Sequence, residues 1–218
     1  DAVRVWMLTR RNAKSGRSVS GVVLDRLTGL AALLLITTIF LPVLFTRVED
    51  DRARIAIIIL IAGGFFCFGF ILLLSLIPTR LTRFNVMRKI ALNIRIARRK
   101  GLSRRPALTS LVLSLILHIF SVIIIDLLAN GLGIKIDFLS LLALIPPVML
   151  LATLPVSIAG WGVREGAMVA ALGYVGVLPG DALALSVLFG FITIIASIPG
   201  ALLWLLQRRP ERVTTKSS

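Results

Sequence analysis

Apolar residues gather in long runs along the chain, and four of these runs, Leu27–Phe45, Ile55–Ile77, Leu108–Leu128 and Ala182–Leu206, predict membrane-spanning helices. As helix, each is long enough or nearly so for a hydrocarbon core roughly 30 Å thick. None alternates apolar and polar positions as a barrel strand in a membrane would. A fifth apolar stretch, Phe138–Leu154, is interrupted by Pro146 and Pro147 and runs into the glycine-rich segment Pro155–Gly166. A short apolar helix, Arg164–Val175, is expected to follow. At 1.5 Å per residue it reaches about 18 Å, too short to cross unless it starts deep in the bilayer.

Charge sets the orientation. The chain of 218 residues carries 25 Lys and Arg against 10 Asp and Glu, a net charge of +15. In a soluble protein that excess would suggest a nucleic-acid partner. Here 57% of residues are hydrophobic and mean hydropathy is +0.98, so soluble enzymes and nucleic-acid readers are set aside. Ten of the cations lie in the acid-free stretch Pro78–Ala107. Others collect before the first span (Arg4, Arg10, Arg11, Lys14, Arg17, Arg26) and in the tail (Arg208, Arg209, Arg212, Lys216). All three regions are expected to be cytoplasmic, leaving the connections Arg47–Arg54 and Ala129–Asp137 outside. The third span then delivers the chain outside and the last must start there, so Phe138–Val175 has to enter and return on one side. A re-entrant or broken-helix arrangement satisfies this, and irregular backbone at membrane depth persists only where protein or a watery cavity satisfies it. Within the basic loop, Phe84, Met87, Ile90, Ala91, Ile94 and Ala97 recur at three and four residues opposite Arg88, Lys89, Arg95 and Arg99. That spacing predicts an amphipathic helix on the cytoplasmic surface, serving as anchor and topology determinant or as a reader of anionic lipid. The fold expected is an all-α polytopic integral membrane protein, a helix bundle with one re-entrant or broken segment and one amphipathic cytoplasmic helix.

Ionisable residues inside apolar sequence are the candidates for chemistry, because a charge at the bilayer centre costs on the order of 3 kcal/mol. Arg164 and Glu165 follow Gly160-Trp-Gly162 directly, where a half-helix is expected to begin. Free amides at that helix start and the guanidinium fork suit a phosphate, with Glu165 balancing charge, orienting the arginine or taking a proton. The structural alternative is an Arg–Glu pair stapling the break, with Gly162 and Gly166 at a spacing that allows close helix packing. Asp25 and Arg26 sit at the cytoplasmic mouth of the first span, where snorkelling accounts for the arginine more easily than for the acid. His118 lies mid-span with Ser110, Ser114 and Ser121 on its face and is read first as a hydrogen-bond partner between helices. One cysteine, Cys67, excludes a disulfide framework. The residue types supply no metal site, no Gly-x-Ser-x-Gly elbow and no Gly-x-x-x-x-Gly-Lys loop, so neither an enzyme nor a cofactor is expected.

Asp1-Ala-Val-Arg4, then Ser18-Val-Ser-Gly-Val-Val-Leu-Asp25-Arg26-Leu-Thr-Gly29, and finally Leu154-Pro-Val-Ser-Ile-Ala-Gly-Trp-Gly162-Val-Arg164-Glu165-Gly166 together resemble the lysylphosphatidylglycerol synthase transmembrane family. The likeness runs from Asp1 to about Leu206. It implies a flippase-like domain over residues 1–206, containing the basic loop 78–107 and followed by a cytoplasmic tail, 207–218. It also implies a place in the cell inner membrane and further helices before Asp1; the sequence departs from the full synthases in having only about a dozen residues after Leu206, so no aminoacyltransferase domain is expected. By the resemblance, the chain translocates an anionic phospholipid or lipid-linked head group, with Arg164, Glu165, Gly160, Gly162, Asp25, Arg26 and Arg4 as the binding set. The alternatives are a membrane subunit that docks a glycosyltransferase or lipid-modifying enzyme on its basic face, and an enzyme acting on a polyprenyl phosphate through Glu165 or His118. Homo-oligomerisation stays open.

Overall fold

A computed structural model describes residues 15–74, 104–153 and 160–206. Among these residues the chain forms seven helices: α1 (Ser15–Ile39), α2 (Leu41–Arg47), α3 (Asp51–Leu74), α4 (Arg104–Gly131), α5 (Phe138–Ala152), α6 (Val163–Gly173) and α7 (Pro179–Leu206). Three stretches, Asp51–Phe70, Leu108–Gly131 and Pro179–Gly200, are long and apolar enough to cross a membrane unaided. They overlap the second, third and fourth spans expected from the apolar runs. Arg4, the amphipathic helix of the basic loop and the basic tail lie outside the described residues.

The first span departs from the expected continuous rod. It bends by 59° between α1 and α2. Pro42, in the first turn of α2, has no N–H to give and its ring crowds the carbonyl four residues back, so the straight path ends at Phe40. Arg54 from α3 then holds the short arm of the bend, donating to the Val48 carbonyl at 2.6 Å and the Phe45 carbonyl at 2.9 Å.

The second departure is the site of the break in the fifth stretch. α5 runs unbroken through Pro146 and Pro147, and the chain turns only after Ala152. Each proline removes one helical hydrogen bond. Packing on several sides offsets that loss, because Pro146 and Pro147 are both buried and α5 contacts α1, α2, α3, α4 and α6. The helix too short to span is therefore the centre of the bundle. Leu141, Leu144, Ile145 and Val148 of α5 share one core with Met168 and Leu172 of α6, Leu185 and Phe189 of α7, and Val122 and Ile125 of α4. With lipid on the outside, contact between close-fitting side chains rather than escape from water supplies the cohesion. Gly64 of α3 shows how close the fit is, since a Cβ there would stand 2.6 Å from Leu34 Cδ2 on α1.

α5 and α6 form a hairpin that enters and leaves at one end of the bundle. A single cleft at that end is lined by residues before and at the start of α5 (Lys135, Asp137, Ser140), by the end of α6 (Gly173, Tyr174) and by Arg47 after the bend. Asp137 caps α5 by accepting from the Ser140 N–H and hydroxyl, both at 3.0 Å, and Arg47 Nη2 reaches the same oxygen at 3.1 Å. At the far end of the hairpin, Gly160 comes back beside Ala152. Burial along α7 marks how deep the hairpin goes: Ala182, Leu185, Ser186, Phe189 and Gly190 are buried, and the helix is exposed beyond them.

Candidate functional site

The hairpin tip is built on two glycines. Gly160 and Gly162 have φ of 80° and 84°, a region that other residues enter only with strain. At Gly160 the neighbourhood is closed as well, because a Cβ would lie 3.1 Å from the Ala152 carbonyl oxygen. Gly162 is the N-cap of α6, and its N–H donates to Oε2 of Glu165 one turn later. Glu165 thus occupies the helix start that the sequence offers to an anion, an acid at the positive end of the helix dipole.

Its second oxygen takes the arginine. Arg164 Nη2 donates to Glu165 Oε1 at 2.7 Å and Nε to the same oxygen at 3.2 Å. From α7, the Ser186 hydroxyl stands 3.3 Å from Arg164 Nε and 3.4 Å from Glu165 Oε1. The guanidinium lies between two rings, 5.1 Å from the centroid of Trp161 and 5.8 Å from that of Phe189, positions that favour a cation. Gly190 provides the space: a Cβ there would fall 2.5 Å from Arg164 Nη2. Both charged side chains are 11% exposed. Nη1 has no hydrogen-bond partner among the described residues.

Depth follows from helix geometry. Ser186 and Gly190 lie about 10 and 17 Å along α7 from Pro179 at 1.5 Å per residue. The span Pro179–Gly200 has 22 residues, about 33 Å, so the ion pair sits between a third and half of the way along it, with the guanidinium the deeper partner. A paired charge at that depth is costly to desolvate, and such residues usually mark a substrate path or a cavity.

The other expected site residues are apart from this cluster. Asp25 and Arg26 are exposed on α1, Asp25 about 12 Å before Leu33, which packs with Leu150 near the hairpin tip. His118 Nε2 lies 3.3 Å from the Gly29 carbonyl, a link between α4 and α1 of the kind its isolation suggests. The glycine spacing of Gly162 and Gly166 is not a packing device here, since open space lies beside both. Ser186, Phe189 and Gly190 were not foreseen. Ser186 and Gly190 belong to a series of small residues four apart, Ala182-x-x-x-Ser186-x-x-x-Gly190, but the same helix holds other small residues such as Ala184 and Ala196, and Phe189 leaves no such signal.

At the hairpin root, the polar cleft encloses about 620 Å³ among Arg47, Glu49, Asp50, Lys135 and Asp137. The Ser140 hydroxyl, then its N–H and the nearby Arg47, hold the Asp137 carboxyl below the ordinary aspartate value.

These features define a polytopic helical membrane protein in which a two-helix hairpin carries an arginine–glutamate pair to half depth. Residues 1–200 match the family model described as the lysylphosphatidylglycerol synthase TM region, and the chain belongs to that family. The match is to the family's transmembrane region, a membrane-embedded lipid-handling bundle. No curated protein and no solved structure matches the chain.

Proposed function

We propose that the protein translocates a phospholipid or lipid-linked head group across the inner membrane, with Arg164 as its phosphate contact. The observation that carries this reading is the guanidinium beside Gly190 of α7, where among the described residues Nη1 has no hydrogen-bond partner and Nη2 meets a carboxylate from the same hairpin. An arriving phosphate would take Nη1 first and then exchange with Glu165 for Nη2 and the Gly162 N–H, one anion replacing another so that net charge at the site stays low. Gly160 and Gly162 hold the tip in the shape that presents these donors. Asp25 and Arg26, near the middle of α1 and about 20 Å before the bend, would meet the head group on its way, and Arg4 would join them. The hairpin root and its cleft face outside in this reading, and the basic loop and tail lie in the cytoplasm.

The test is lipid movement in liposomes carrying the reconstituted protein and a fluorescent phospholipid. Arg164→Ala is expected to cut the rate at least about tenfold, a loss of about 1.4 kcal/mol in barrier terms. Glu165→Gln, which keeps one carbonyl oxygen to accept from Arg164 or from the Gly162 N–H but not from both, is expected to change the rate less than Arg164→Ala. Wild-type rates in both variants at equal protein level would show that the transport site lies elsewhere.

A further inference from the structure

One aromatic layer separates Arg164 from the hydrocarbon. Trp161 is 40% exposed and Phe191 is 54% exposed, and their rings meet edge to face with centroids 6.4 Å apart. Directly behind Trp161 lies the guanidinium, 5.1 Å from the ring centroid, on a side chain only 11% exposed. Trp161 is the single residue between Gly160 and Gly162, both at positive φ, so the backbone on either side of it has more freedom than any other residue type would allow. α6 itself is anchored: Met168 and Leu172 are fully buried in the core with Leu185 of α7. Beneath the indole, Gly190 contributes no side chain, and a Cβ there would lie 3.3 Å from Trp161 Cη2.

The geometry points to a lateral door: Trp161 and Phe191 part to admit the phosphate head of a bilayer lipid sideways, between the hairpin tip and α7, onto Arg164. This rests on the translocation reading above and adds the route. A sideways path leaves the acyl chains in the hydrocarbon, whereas lifting them toward a watery entrance would cost about 0.8 kcal/mol for each CH₂ exposed. The two rings are suited to such a seam. Closed, they cover the guanidinium and keep water from it. Open, their apolar edges lie against lipid tails while the charge behind them meets the head group.

The experiment locks the seam. Trp161→Cys and Phe191→Cys are combined in a Cys67→Ala background, which removes the exposed native thiol, and joined by a short, reducible bis-thiosulfonate linker in protein reconstituted with fluorescent phosphatidylglycerol. Linked protein is expected to lose at least about tenfold in lipid movement and to regain it on reduction, as gating predicts. If linked protein moves lipid as fast as reduced protein while Arg164→Ala abolishes movement, the door is overturned and the translocation reading stands. If Arg164→Ala has no effect, both fall. Should the double-cysteine protein not accumulate, Phe191→Ala gives a second measurement, since its half-exposed ring can be truncated without hollowing the core. Removing half the seal is expected to speed lipid movement about two- to fivefold, and a rate at or below wild type overturns the door.

Discussion

Arg164 and Glu165 are neighbours in sequence, yet their pairing depends on three elements: the glycine turn, the first turn of α6 and the Ser186 face of α7. Removing one charge leaves the other buried alone, so Glu165→Ala is expected to destabilise the protein by about 3–5 kcal/mol. Arg164→Met with Glu165→Gln removes both charges at similar volume and is expected to recover most of that loss. Unfolding in detergent, followed by near-ultraviolet circular dichroism, measures both. A double variant as unstable as Glu165→Ala would mean that the pair is itself a structural staple, the alternative that the sequence leaves open. The pair is legible in sequence because two charges inside an apolar region have few explanations. Ser186 and Gly190 are harder to see, since in a helix with lipid on one side and protein on the other no apolar periodicity distinguishes the two faces.

At the scale of helices, hydropathy locates spans but not their bends or their neighbours. Leu27–Phe45 reads as one rod because Phe40, Leu41 and Pro42 are all apolar, and only the missing N–H of Pro42 records the 59° turn. The two prolines of α5 mislead in the opposite sense. They suggest a break, but burial on many sides holds the helix through them as far as Ala152. The start of α5 depends on its cap. Because the Asp137 carboxyl is held below its ordinary value of about 3.9, its contribution is complete above that value and is lost as pH falls through the folded one. Asp137→Asn keeps an acceptor for the Ser140 N–H but has no charge to lose. Thermal midpoints in detergent from pH 6 down to acid should therefore fall less steeply for Asp137→Asn than for wild type. Parallel curves would remove Asp137 from the account of acid sensitivity.

Across the whole molecule, the sequence supplies the fold class, four expected spans, of which three are continuous helices and the first is bent, and a parity argument that the hairpin must return to its own side. The common cleft at the root of α5 and α6 and the end of burial at Gly190 agree with that argument. What the sequence withholds is the centre of the bundle. α5, at 15 residues shorter than any of the three full spans, is the helix that most of the others contact.

The half-length hairpin also fixes where Arg164 stands in the membrane's electric field. Moving one elementary charge across a full membrane potential is worth about 2.3 kcal/mol per 100 mV, so an anion held at midway has traversed roughly half of that, about 1 kcal/mol. Voltage alone would then bias which leaflet loads the site, giving directionality to a machine that carries no nucleotide loop. An imposed potassium diffusion potential of either sign should speed lipid movement in one direction and slow it in the other, and indifference to the sign would place the charged step outside the field.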